Sequence, residues 1–213
     1  MKRSIADRIA AEPPLQALFK AARQRSLRKR QIVIEQGTKP DSLFLVLSGT
    51  LDITSASGDR ELLLGFKYPG EFFGEMGMFP ELAPLRSARI SARSPCAVLE
   101  IGYDRFNELA RLHCELWAEI SRQLARDLHA VSRRLAQVPN QHVMDRVWSV
   151  LVDLASHEPC DDLRAGVEVR ITRNDLGMLA GCSREVAGLA LRDLSQAGKL
   201  ELKGHAVRLR LSN

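Results

Sequence analysis

Short apolar runs separated by turn residues fill the first half of the chain, and an apolar spacing of three and four takes over in the second. Residues 13–22, PPLQALFKAA, open on proline and predict a short helix. Between about 27 and 102 the runs QIVIEQ, SLFLVL, TLDIT, ELLLGF and AVLEI are separated by GTKPD, SGT, SASGD and YPGE. Strands of that length with glycine at the turns predict an antiparallel roll, barrel or sandwich. Inside this region GEFFGEMGMFP breaks the pattern and predicts a turn leading into a short helix.

From Asp104 the period changes. Leu109, Leu112, Leu116, Ile120, Leu124, Leu128, Val131, Leu135 and Val138 recur at intervals of three and four, with no glycine or proline before Pro139. This predicts one amphipathic helix of about ten turns. Its stripe is longer than a small β-domain can cover, so pairing with a second copy in coiled-coil fashion is expected.

VPNQ at 138–141 marks a domain boundary. Beyond it a helix is expected from Val143 to about Ser156, then the polar loop HEPCDDLRAG and the strand VEVRI. Thr172, with Asp175 three residues on, caps a next helix whose inner face is Leu176, Leu179 and Ala180. Gly181-Cys182-Ser183 makes a turn, and Ser183 caps a second helix whose inner face is Ala187, Ala190, Leu191 and Leu194. Two short helices across a glycine-containing turn form a helix-turn-helix. The hairpin LELKGHAVRLRL completes a winged version.

On that helix Ser183, Arg184, Glu185, Gly188, Leu189 and Arg192 are left to face outward, at the N-terminal end that enters a major groove. Arginine reads guanine O6 and N7 with two bonds, and glutamate accepts from cytosine N4. Arg184 and Glu185 are therefore the expected base readers, and Thr172 and Arg173 join the DNA-binding set.

Composition changes the picture only modestly. The net charge of +5 and isoelectric point near 9.3 permit a polyanionic partner, with basic residues concentrated in RQRSLRKR (23–30) and HAVSRR (129–134). Cys96, Cys114, Cys160 and Cys182 lie far apart, which suits reduced thiols in a cytoplasm. MKRSIADRIAAEPP lacks the apolar core of a signal peptide, and no stretch reaches the ~18 apolar residues of a membrane span. Nucleophile elbow, P-loop and paired catalytic carboxylates are all absent, so no enzyme is expected. The best metal candidate is His157, Cys160, Asp161 and Asp162 in HEPCDD, which an exposed polar loop explains better; His113-Cys114 suits helix packing. No metal is expected.

Four stretches carry a family resemblance. RELLLGFKYPGEFFGEMGMF looks like a β-roll and the start of a phosphate-binding cassette, and RSARISARSPCAVLEI like the cassette's end and the next strands. SRQLARDL resembles a dimer helix, and ITRNDLGMLAGCSRE a DNA-reading unit. Over nearly its full length the chain resembles the CRP/FNR family of bacterial transcription regulators, in particular its cyclic-AMP receptor group. The resemblance implies an α+β fold: an N-terminal antiparallel, jelly-roll-like β-roll sensor (1–103), a dimerisation helix (104–138) and a C-terminal winged helix-turn-helix (139–213). It implies a cyclic nucleotide effector, cyclic AMP first, held by Leu64, Gly74, Glu75, Met76, Arg86, Ser87, Val131 and Ser132.

Physical chemistry supports the cassette roles. The turn amides at Gly74 can approach a phosphate, and Arg86 offers a planar, always-charged fork for it. Glu75 can accept from a ribose 2′-hydroxyl, and Ser87 can donate to phosphate. The implied partners are a pseudo-palindromic double-stranded DNA operator, a second copy of the chain and RNA polymerase. Three features depart from the family's best-known member. The loop from Glu75 to Arg86 is about one residue longer and holds Pro80 and Pro84. Val131-Ser132 stands where a Thr–Ser pair reaches the adenine, and Leu189 stands where a second base-reading arginine lies. The alternative effectors are cyclic-di-GMP, another small molecule or none. Iron–sulfur sensing lacks its N-terminal cysteines, and no histidine stands at an evident haem position.

Overall fold

Helices α1 (Ile5–Ala11) and α2 (Pro13–Ala21) open the chain in the computed structural model, which describes residues 4–57, 60–137, 142–157, 166–204 and 206–210. Eight strands follow: β1 (Arg23–Leu27), β2 (Ile32–Ile34), β3 (Ser42–Ser48), β4 (Leu51–Ser57), β5 (Arg60–Lys67), β6 (Phe72–Phe73), β7 (Arg89–Ala92) and β8 (Cys96–Gly102). They form two antiparallel four-stranded sheets, ordered β1-β8-β3-β6 and β2-β7-β4-β5. The run SLFLVL does not alternate because both faces of β3 are covered. Phe44 and Val46 pack in a cluster with Leu51, Phe73, Ile90 and Val98, while Leu43 and Leu45 pack against helical residues Ile5, Leu18, Phe106, Leu116 and Ile120.

A 3₁₀ turn (Glu75–Met78) follows β6, and the roll is followed by α3 (Tyr103–Leu112) and α4 (Glu115–Gln137). The single ten-turn helix expected from Asp104 is therefore two helices. The reason is phase. Phe106 and Ala110 are the buried residues of α3, and Leu116, Ile120 and Gln123 are those of α4 among the described side chains. The six-residue step from Ala110 to Leu116 falls off a 3.6-residue period, so a break at His113-Cys114 brings both stripes onto one core. Leu112, expected in the stripe, is 81% exposed as a result.

Compactness divides the chain into Met1–Leu128 and His129–Asn213. The second unit holds α5 (Val143–Ala155), β9 (Val167–Arg170), α6 (Arg173–Ala180), α7 (Arg184–Gln196), β10 (Leu200–Lys203) and β11 (Ala206–Leu209). The expected two-stranded wing has a third member, for the sheet order is β10-β11-β9. Both capping expectations are met: the Asp175 amide donates to Thr172 Oγ1 at 3.1 Å and the Val186 amide to Ser183 Oγ at 3.3 Å. Gly181 (φ 63°) closes α6 in the left-handed conformation. Gly177 must stay small, since a Cβ there would meet the Cys182 carbonyl oxygen at 2.8 Å. From α5, Arg146 Nε donates to the Ala180 carbonyl at 3.0 Å, which ties the turn between α6 and α7 to the rest of the unit.

Candidate effector site and nucleic-acid interface

Gly74 organises the first site. Its φ of +86° is the left-handed region, and a Cβ would lie 2.8 Å from Arg86 Nη1 and 3.0 Å from the Ser42 carbonyl oxygen. That vacancy of side chain lets Arg86, 8% exposed, run beneath the turn. Its Nη1 donates to the Gly74 carbonyl (3.1 Å) and to Tyr103 Oη (2.8 Å), and its Nη2 to the Ser42 carbonyl (2.8 Å). Tyr103 in turn donates to the Gly74 carbonyl at 2.6 Å. Burial pushes the Tyr103 hydroxyl above its usual range despite nearby Arg86, so it stays protonated and able to donate. These bonds use three of the five guanidinium N–H donors and fix the fork's plane.

Glu75, 9% exposed, begins the 3₁₀ turn, and its Oε2 is buried without a protein partner. Burial raises its carboxyl above the usual range, opposed by Lys67 and by its own backbone amide. An orphaned buried carboxylate oxygen is an acceptor awaiting a donor. Ser87 is exposed, with Oγ 3.8 Å from Met76 Sδ; Met76 is exposed as well. Leu64, also exposed, occupies a bulge, since Leu63 faces Thr54 and Gly65 faces Ile53 across the strand pair. Gly74, Glu75, Met76, Arg86 and Ser87 thus gather around one turn. Val131 (half exposed) and Ser132 (exposed) stand in the second unit, on the last turns of α4. Sequence reasoning missed Tyr103 and Ser42. A tyrosine opening a helix and a serine opening a strand carry no local mark of such a role.

The second site is a groove lined by Arg173, Arg184, Glu185, Gly188, Leu189 and Arg192. Ser183 and Arg184 are exposed at the start of α7, beside Thr172 and Arg173 at the start of α6. Gly188 lines this groove but is buried, covered by Arg173, whose Cδ a Cβ on it would meet at 3.4 Å. Its smallness seats the Arg173 stem between the two helices. The Glu185 carboxyl is held below the usual range by its own backbone amide first and by the Ser183 hydroxyl, so it is charged throughout the neutral range. Leu189 is half exposed and adds an apolar spot among three arginines.

Cys160, Asp161 and Asp162 are outside the described residues; among the described residues no group of three His, Cys, Asp or Glu could hold a metal ion. Among the described residues, too, no helix is long and apolar enough to cross a membrane.

Comparison with known proteins covers both regions. Residues 24–113 match the cyclic nucleotide-binding domain, and residues 145–212 match the Crp-like helix-turn-helix domain. The chain is 32% identical over 179 residues to the cAMP-activated global transcriptional regulator CRP of Pasteurella multocida, covering 84% of this chain and 85% of that protein. To the cAMP-activated global transcriptional regulator Vfr of Pseudomonas aeruginosa it is 31% identical over 193 residues, covering 89% and 90%. The solved structure of the c-di-GMP responsive global regulator CLP of Xanthomonas campestris superposes with a TM-score of 0.78 at 30% identity, over 93% of this chain and 99% of that one. With a nucleotide-sensing roll and a DNA-reading winged helix on one polypeptide, the chain belongs to the CRP/FNR family and is a cyclic nucleotide-responsive, DNA-binding transcription regulator rather than an enzyme.

Proposed function

We propose that the protein is a homodimer in which a cyclic nucleotide, cyclic AMP as the first reading, binds each β-roll and changes operator affinity. The observation that carries this is that Glu75 and Arg86 are both buried at the Gly74 turn: an orphaned acceptor beside Gly74 in the chain, and a charged fork fixed to the Gly74 carbonyl. In this reading Arg86, the Gly74 turn and Ser87 take the cyclic phosphate, Glu75 takes the ribose 2′-hydroxyl, and Leu64 and Met76 flank the ligand. Val131 and Ser132 of α4 are assigned to the base. Residues 1–103 act as sensor, 104–138 as dimerisation helix and 139–213 as reading head, in the cytoplasm where DNA and RNA polymerase are met. Two relatives described as cAMP-activated support the effector class.

Val131 favours a second reading. A valine neither donates to nor accepts from a base edge, so one orienting bond worth about 0.5–1.5 kcal/mol is missing. The relative described as c-di-GMP responsive makes that dinucleotide the alternative effector. Calorimetry with cyclic AMP, cyclic GMP and c-di-GMP decides between the two. On the first reading Val131→Thr raises the preference for cyclic AMP over cyclic GMP; an unchanged ratio removes Val131 from the base.

At the reading head, Arg184 is assigned to a guanine, Glu185 to a cytosine, and Leu189 to a thymine methyl. Arg192, a turn further on, and Arg173 are assigned to phosphate, with Thr172 and Ser183 at the two helix starts. Arg184→Ala is expected to cost about 1–3 kcal/mol on the preferred site and to relax preference at a single base pair. Binding-site selection on randomised DNA checks this; uniform weakening of all sequences would make Arg184 a phosphate contact.

A further inference from the structure

Gly77, buried in the 3₁₀ turn, has no backbone need to be glycine, since unlike Gly74 it lies outside the left-handed region. Its smallness answers to something else. A Cβ there would meet Tyr103 Oη at 2.5 Å and run into Pro40 Cβ. The cassette therefore keeps two glycines for two side chains. Gly74 admits the Arg86 guanidinium, and Gly77 admits the Tyr103 hydroxyl beside it.

That hydroxyl closes a triangle of hydrogen bonds. It donates to the Gly74 carbonyl (2.6 Å) and accepts from Arg86 Nη1 (2.8 Å), which itself donates to the same carbonyl (3.1 Å). With Ser42 taking one donor of Nη2 at 2.8 Å, Nε–H and the second Nη2 donor remain for a phosphate. The Asp41 carboxylate, 3.6 Å from Nη2, is on an exposed side chain that a phosphate can replace. Tyr103 is held from its other end. Its amide donates to the Asp41 carbonyl at 3.1 Å, next to Ser42, so the start of β3 fixes both the tyrosine and the arginine. Tyr103 opens α3, whose buried Phe106 packs edge-on against Trp117 of α4, with ring centroids 5.4 Å apart. Phe79, at the end of the 3₁₀ turn, meets the same Trp117 at 6.4 Å. A loose arginine loses much rotamer freedom when a ligand fixes it, and one held in this way has little left to lose.

We propose that Tyr103 is a positioning residue that sets the stereochemical selectivity of the effector site: its hydroxyl, admitted by Gly77, locks the Arg86 guanidinium in the plane that receives one particular oxygen of the cyclic phosphate. The assignment rests on the reading that Arg86 takes that phosphate. A guanidinium without the hydroxyl keeps its charge and its bonds to Gly74 and Ser42 but gains freedom to tilt. It then follows whichever phosphate oxygen is offered.

The test is calorimetry of the full-length protein with cyclic AMP and with its two phosphorothioate diastereomers, which place sulfur at one or the other exocyclic position of the phosphate. Sulfur is the poorer acceptor, so a fixed fork tells the two apart and a tilting fork does so less. Tyr103→Phe keeps the ring and removes only the hydroxyl. It is expected to weaken cyclic AMP roughly 3- to 10-fold, the net worth of one hydrogen bond, and to narrow the preference between the diastereomers. The preference over 2′-deoxy cyclic AMP, assigned to Glu75, should stay as in the wild type. Thermal melts establish that the variant is folded. The assignment to Tyr103 is overturned if the variant keeps the wild-type affinity and diastereomer preference, or weakens both diastereomers by one factor. It is equally overturned if the 2′-deoxy preference narrows as well, or if the wild type binds the two diastereomers alike. If cyclic AMP gives no heat with the wild type, or Arg86→Leu binds it as tightly, the underlying reading of the site fails instead.

Discussion

Arg86→Leu is expected to weaken cyclic nucleotide binding by roughly 100-fold, about 3 kcal/mol, as for truncation of one partner of a buried, hydrogen-bonded charge pair. The effect has two physical parts. The ligand phosphate loses its charged fork. The turn that presents Gly74 and Glu75 also loses its tie, because the carbonyls of Gly74 and Ser42 and the hydroxyl of Tyr103 all accept from this one guanidinium. Arg86→Lys keeps the charge but cannot span three acceptors, so it should fall between the two. Calorimetry measures the loss, and circular dichroism separates it from unfolding. Wild-type affinity in Arg86→Leu would place the phosphate elsewhere.

Leu128→Glu is expected to produce monomers and to reduce operator affinity by at least about 100-fold, because the second half-site contact then loses its effective concentration. Leu116 and Ile120 bury the first turns of α4 against the roll, but Leu124, Leu128 and Val131 continue the stripe into solvent. Leu128 is 68% exposed in the single chain, and a second α4 is the surface that would cover it. A glutamate there would place an unpaired charge at the seam. Sedimentation that finds Leu128→Glu still dimeric, or the wild type monomeric, would contradict the architecture.

The reading head was legible because its signals are local. Thr172 with Asp175, Gly181, and Ser183 with the amide of Val186 are each decided within three residues. The strands β3, β4 and β5 were legible as apolar runs. Strand β1 was not: RQRSL buries only Leu27, and its pairing with β8 sets Arg23 against Glu100 and Leu27 against Cys96, far apart in the chain, so its arginines passed for a surface cluster. The break before α4 carries no glycine or proline and shows only as a phase slip between Ala110 and Leu116. Helix α1 was missed although Ser4 accepts from the Asp7 amide at its start. At the effector site the cassette residues Gly74, Glu75 and Arg86 came from resemblance and simple chemistry. Their supports could not, since Ser42 and Tyr103 are brought to Arg86 from two distant elements by packing alone. The cover over Gly188 was not legible, because helical period alone does not place the Arg173 stem there.

The central claim is that nucleotide at the β-roll changes how the winged helix holds DNA. The most direct measurement is fluorescence anisotropy of a labelled pseudo-palindromic duplex, with half-sites about 34 Å apart, titrated with the protein at increasing cyclic AMP and, separately, c-di-GMP. A coupling free energy of about 1–3 kcal/mol predicts a saturable change of 5- to 150-fold in operator affinity with one of the two nucleotides, absent in Arg86→Leu. Operator affinity that stays the same at every concentration of both nucleotides would contradict it.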